Sequence, residues 1–239
     1  KQSIKSFPKS SEAYVDLANI FISKGNLNEA ELYVRKFIGI NQNNEIGYMM
    51  LGNILQDQGR IDESELFFRK ATELNPQNSL AHLNFAKILW VKGRLEESER
   101  SYVKAIELNE NNARAHLDLG NILWLQGKLK EAEISMRNSI RIQPQNVISF
   151  LNYGDVLRGL GKTKEAELSY KRAIELKPDF ARAFIQLFRL YEQTNKLENL
   201  KEALKDFANN LQIKNELLLF NARLCFRNKD YEEAKLLVD

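Results

Sequence analysis

The apolar and polar positions of Val147–Phe180, VISFLNYGDVLRGLGKTKEAELSYKRAIELKPDF, form two amphipathic helical patterns parted by Gly161 and closed by Pro178. Phe150, Tyr153 and Leu157 supply the bulk of the first; Leu168, Tyr170, Ile174 and Leu176 supply that of the second. The small residues Gly154, Ala166 and Ala173 mark where two such helices cross closely.

The rest of the chain is this stretch with variations. Gly25, Gly59, Gly93, Gly127 and Gly161 recur every 34 residues, and Asn195 and Lys229 continue the comb. A second set, Ala18, Gly52, Ala86, Gly120 and Gly154, resumes at Ala222; a third is Ala30, Ser64, Ser98, Ala132, Ala166 and Ala234. Three small-residue sets in phase define a repeat array. Asn44, Asn78, Asn112 and Asn146 are placed to cap the helix that follows each of them. That first helix runs about 13 residues and stops at the comb glycine, where a left-handed conformation costs little. Asn195 is the next best residue for such a cap. A second helix follows, as at Lys164–Leu176, ending before Pro76, Pro144 or Pro178 where these occur. Short connections make each copy an antiparallel hairpin. A hairpin alone exposes the flanks of its apolar stripe, so copies stack into a continuous core.

Composition narrows the class. With 44% hydrophobic and 28% charged residues and only 4 Pro and 11 Gly, the chain is a helical folded protein rather than a disordered one. The 35 Lys+Arg against 32 Asp+Glu, net +3, is too even to make nucleic acid or an anionic membrane the default partner. The single cysteine, Cys225, excludes an internal disulfide framework and is in phase with Leu123, Leu157 and Tyr191, a core position. No apolar run approaches the ~20 residues of a membrane helix and no signal peptide opens the chain, which fits a cytoplasmic protein. Richness in Ile, Asn and Lys points to an AT-rich, bacterial genome.

The string YGDVLRGLGKTKEAELSYKRAIELKP and its cognate LGNILWLQGKLKEAEISMRNSIRIQP at Leu119–Pro144, with the 34-residue period, resemble the tetratricopeptide repeat (TPR) family. Helical repeats that read RNA run at 35 residues and lack this small-residue pattern. The resemblance implies an all-α, right-handed superhelical solenoid of antiparallel hairpins. Six repeats are then expected over 11–214: Ser11–Asn44, Glu45–Asn78, Ser79–Asn112, Ala113–Asn146, Val147–Phe180 and Ala181–Lys214. A partial seventh repeat or capping hairpin is expected at 215–239, and residues 1–10, phased by Pro8, read as the tail of a preceding repeat. Both ends fall in the same phase, the mark expected of a segment cut from a longer protein. In the sixth repeat Phe188 and Leu200 replace small residues at the helix crossing, so irregular geometry is expected there.

The resemblance also implies that the first helices line a concave groove for peptides or partner segments. Three phases of the first helix then face it: Asn19, Asn53, Lys87, Asn121, Asp155, Arg189 and Arg223; Ile22, Gln56, Trp90, Trp124, Arg158, Glu192 and Phe226; and Glu12, Ile46, Leu80, Arg114, Ile148, Arg182 and Glu216. Amides at Asn19, Asn53 and Asn121 offer donor and acceptor to an extended backbone, or form a solvated polar row. Trp90 and Trp124, one period apart, are expected side by side, either as binding anchors or packed on a neighbouring repeat. Arg158, Arg182, Arg189, Arg223 and Arg227, offset in part by Asp155, Glu192 and Glu216, favour a ligand that is acidic toward the C-terminal repeats.

The lysine-bearing phase of tetratricopeptide clamps for chaperone tails reads Val15, Met49, Leu83, Leu117, Leu151, Ile185 and Leu219, without lysine, so that clamp is not expected. His82 and His116 lack further ligands at equivalent positions (Tyr48, Phe150) and are expected to fill the hairpin interface rather than hold a metal. No nucleophile–base constellation or Gly-rich loop suggests catalysis, and no cofactor is implied. The expected function is a protein- or peptide-binding scaffold. The alternatives are a non-catalytic, substrate-recruiting arm of a larger enzyme, such as a glycosyltransferase or sulfotransferase, and an array that self-associates through its terminal repeats.

Overall fold

The computed structural model describes residues 11–196 and Asn199. The expectations for residues 1–10, Leu200, Arg223, Cys225, Arg227 and 215–239 lie outside these. Among the described residues eleven helices follow one another: α1 Ser11–Ser23, α2 Leu27–Ile40, α3 Glu45–Asp57, α4 Ile61–Leu74, α5 Ser79–Val91, α6 Leu95–Leu108, α7 Ala113–Leu125, α8 Leu129–Ile142, α9 Val147–Gly159, α10 Thr163–Leu176 and α11 Ala181–Gln193. Among the described residues there is no strand. The fold is all-α and repetitive, with first helices of 13 residues alternating with second helices of 14.

The local signals act as their chemistry predicts. Asn44 accepts from the backbone N–H of Ile46 (3.0 Å) and Gly47 (3.3 Å), and Asn78 from Leu80 (3.0 Å) and Ala81 (3.1 Å). Asn112 accepts from Ala115 (3.0 Å) and Asn146 from Ser149 (3.1 Å). Each oxygen satisfies N–H groups that have no partner inside their helix. The comb glycines sit at φ between +74° and +78°, and Asn195, their stand-in, at +54°.

The chain divides into two compact units, Lys1–Ile122 and Leu123–Asp239. In the first, α1 packs on α2, α3 on α4 and α5 on α6; α2 also packs on α3, and α4 on α5. In the second, α9 packs on both α8 and α10, and α10 packs on α11. The small residues of the crossings are surrounded as expected. A Cβ on Gly52 would lie 2.9 Å from the Phe68 ring, and one on Gly154 would overlap the Tyr170 ring. Where serine replaces alanine on the second helix, its hydroxyl is satisfied across the crossing: Ser64 donates to the Gly52 carbonyl (2.7 Å) and Ser98 to that of Ala86 (2.8 Å). Phe188 is fully buried in one cluster with Phe184, Leu187, Tyr170 and Tyr191, and α11 stays a regular helix around it.

A feature the repeat pattern did not single out is a ladder of ion pairs between successive hairpins. In four places a glutamate of a second helix reaches the residue that follows the next comb position. Glu31 binds Arg60 (2.7 Å), Glu65 binds Arg94 (2.7 Å), Glu133 binds Lys162 (2.8 Å) and Glu167 binds Lys196 (3.0 Å).

Candidate binding face of the first helices

In the first unit the uncovered side of the first helices mixes amides with apolar side chains. Asn19 and Asn53 are exposed, as are Ile22, Ile46 and Leu80, the last two being 54% and 50% exposed. Trp90 and Asn121 are half-buried.

Lys87 is also half-buried and belongs to a charged cluster. Asp118, 2% exposed, accepts from Arg114 Nε through both oxygens, at 2.9 and 2.8 Å. Burial pushes the Asp118 carboxyl above its usual range, against the pull of Arg114 and then Lys87. Burial likewise pushes the Lys87 ammonium down, and Asp118 opposes that shift. The Tyr102 hydroxyl is buried beside this carboxylate and has no hydrogen-bond partner among the described residues; burial first, then Asp118, raises its pKa. Two cations against one carboxylate leave a surplus positive charge, with the exposed Arg114 guanidinium outermost.

The repeat phase places Lys87 and Arg114 on the face but does not single out Asp118 and Tyr102. The available signal was the phase Asp16, Met50, Asn84, Asp118, Asn152 and Gln186, polar at every copy but one. Asn84 and Gln186 at this phase are each only 8% exposed, so its polarity is not that of a solvated row.

In the second unit Trp124 is 44% and Ile148 42% exposed. Asp155 is half-buried and accepts the Tyr170 hydroxyl at 2.8 Å, with Arg158 at 3.7 Å. Burial pushes its carboxyl up, opposed by the Tyr170 hydrogen bond and then by Arg158, Arg182 and Arg189. Three of the groove arginines therefore gather around one carboxylate, and Arg182 and Arg189 stay exposed. Asp155 is engaged inside its own hairpin, while Arg182 and Arg189 keep their charge exposed on this unit's face.

Each histidine ties its helix to the connection that leads into it. His82 Nε2 lies 3.0 Å from the Pro76 carbonyl and His116 Nε2 3.0 Å from that of Glu110. No group of three or more His, Cys, Asp or Glu among the described residues is arranged to hold a metal ion. No helix among them is long and apolar enough to cross a membrane.

The tetratricopeptide repeat family model matches residues 11–44, 47–78, 113–146 and 148–180, and a TPR repeat model matches 91–127. The chain belongs to the tetratricopeptide repeat family. No curated protein matches it. Among solved structures it is similar to YrrB, described as a TPR protein with an unusual peptide-binding site, at 22% identity over 76% of this chain and 94% of that one, with a TM-score of 0.64. It is similar to the MamA protein at 22% identity over 72% and 94%, with a TM-score of 0.64. PilF of Pseudomonas aeruginosa matches at 19% identity over 89% and 97%, with a TM-score of 0.73. At these identities the likeness is one of fold.

Proposed function

We propose that this chain is a non-catalytic scaffold that binds an extended protein segment on the exposed side of its first helices, the array running as six repeats through residues 11–214. The observation that carries this reading is the coincidence, at fixed phases, of exposed aliphatics (Ile46, Leu80, Ile148) with amides and arginines at the neighbouring phases (Asn19, Asn53, Arg182, Arg189). Apolar area supplies affinity, and the polar groups fix register on a peptide backbone. A TPR protein of the same fold has a peptide-binding site, which supports the reading by analogy.

The partner segment is acidic where it meets α11. Arg182 and Arg189 are exposed, and Asp155, a carboxylate they act on, already holds Tyr170. An array of acidic, neutral and basic extended peptides incubated with the full chain tests this. The double variant Arg182→Glu/Arg189→Glu should lose at least about tenfold in affinity for the acidic peptides, with an unchanged circular-dichroism spectrum. Equal binding of acidic peptides by both proteins would remove the acidic partner. Failure of every peptide class would remove the scaffold reading itself.

A further inference from the structure

The second helices carry a position whose occupant changes along the array: Tyr33, Phe67, Ser101, Ser135, Ser169. In the first two repeats the aromatic ring fills a slot against its own first helix. Tyr33 stacks on Tyr14 (6.3 Å between ring centroids) and on Phe21 (5.4 Å), and Phe67 stacks on Tyr48 (6.3 Å). A guanidinium from the preceding repeat closes the second slot: Arg35 lies 5.5 Å from the centre of the Phe67 ring. Arg35 is braced from its own helix by Glu31 at 2.7 Å. The arginine of the second repeat at this phase, Arg69, lies instead over Phe85 of the third, at 5.5 Å.

The fifth repeat keeps part of these surroundings and lacks the ring: Tyr153, beside Arg137, stands where the first two repeats have Leu17 and Leu51. Phe150 stands at the phase of Tyr14 and Tyr48, and Arg137 at that of Arg35, braced in the same way by Glu133 at 2.6 Å. At the phase of Tyr33 and Phe67 stands Ser169, whose hydroxyl turns inward to the Phe150 carbonyl at 2.9 Å. What remains is an open cleft of about 380 Å³ over an apolar floor that includes Phe150 and Tyr153, rimmed by Arg137, Arg172 and Glu165. That is ample for one ring, since a cavity of ~150 Å³ holds benzene. None of these residues belongs to the three phases of the binding face.

We infer that this cleft is a socket for one aromatic side chain of a partner polypeptide, seated where Phe67 sits in the second repeat. The chain's own first two repeats show the shape that fits. The Arg137 guanidinium supplies a cation complementary to the electron-rich face of such a ring, as Arg35 does for Phe67. An aliphatic side chain would fill the floor but forgo that contact. The socket is independent of the face formed by the first helices, and binding at one does not require the other.

The test uses the full chain, with N-acetyl-tryptophanamide as probe and N-acetyl-leucinamide as control, followed by NMR at the amides of Phe150, Tyr153 and Ser169. The tryptophan probe should shift these signals, and the leucine control should bind at least several-fold more weakly. Ser169→Phe, which supplies from within the ring that Phe67 supplies, should abolish the shifts and raise the melting temperature by a few degrees. No shift at these amides up to the probe's solubility limit, equal binding of the leucine control, or undiminished binding by Ser169→Phe overturns the proposal. A lowered melting temperature for Ser169→Phe overturns it too, because the cleft would then lack the shape of the filled slots.

Discussion

Gly154→Ala should destabilise the fifth hairpin by up to about 2 kcal/mol in wild type, yet stabilise it by up to about 1 kcal/mol once Tyr170 is valine. Two effects of opposite sign meet at this residue. Alanine in a helix interior is favoured over glycine by about 1 kcal/mol, because glycine gives up more backbone freedom. Against that, a methyl on Gly154 would occupy the space of the Tyr170 ring, and that ring is fully buried among Leu151, Leu157, Ala166 and Phe188. Overpacking a closed core costs about 1–3 kcal/mol and must exceed the propensity gain for the variant to lose stability. The first repeat shows the compensated form of the same crossing, where Ala18 and Val34 share one core cluster. Gly154→Ala/Tyr170→Val rebuilds that pair. Urea unfolding followed by circular dichroism, with hydrogen exchange in α9 and α10 to localise the change, measures the cycle. A Gly154→Ala effect of the same sign in both backgrounds would show that the crossing, as described, does not set the size of these residues.

Much of the fold was legible because its decisive signals are local and repeated. The comb residues need only their own left-handed φ, and the caps need only the next turn of helix. A 34-residue lag therefore exposed both without knowledge of what packs where. The glutamate ladder was not legible for the opposite reason. Glu31, Glu65, Glu133 and Glu167 sit on charged second helices and read as solvated, but the next hairpin covers them, leaving Glu65 only 5% exposed. That burial is a property of the stack and not of any one copy.

The binding face shows the same division. Phase alone assigned Asn19, Asn53, Arg182 and Arg189 to the first-helix surface, and they are exposed there. It could not separate them from Asp155, which is drawn into its hairpin by the Tyr170 hydroxyl, or from Lys87, which is held half-buried near Asp118. Those distinctions depend on bulk supplied by another helix. The socket at Ser169 was visible only as a change from aromatic to serine along one phase. Serine on a second helix reads as ordinary surface until the neighbouring guanidinium and ring are placed around it.

The ladder gives the molecule an acid limb, set by its depressed carboxylates. Burial pushes the Glu65 carboxyl up, but hydrogen bonds from Lys92, Arg69 and Arg94 outweigh it and hold the group at about 2, below its ordinary 4.5. Glu167 is likewise held at about 2: burial opposes the shift, and Lys171, Lys196 and Tyr191 produce it. A carboxylate depressed in the folded state contributes stability that is complete above about 4.5 and is lost as the pH falls toward about 2. The melting temperature should fall across that window. Asp118 and Asp155, raised by burial, act in the other direction, because acid relieves the cost of their buried charge. The substitution that isolates the ladder is Glu65→Gln. Near neutral pH it should cost about 2 kcal/mol, since Lys92 and Arg94 lose their shared acceptor but remain partly hydrated. As the pH approaches 2, wild type and variant should converge, because Glu65 is then taking up its proton and, protonated, bonds much as glutamine does. Parallel melting curves with a constant gap from pH 7 to 2 would show that Glu65 acts through packing, not charge.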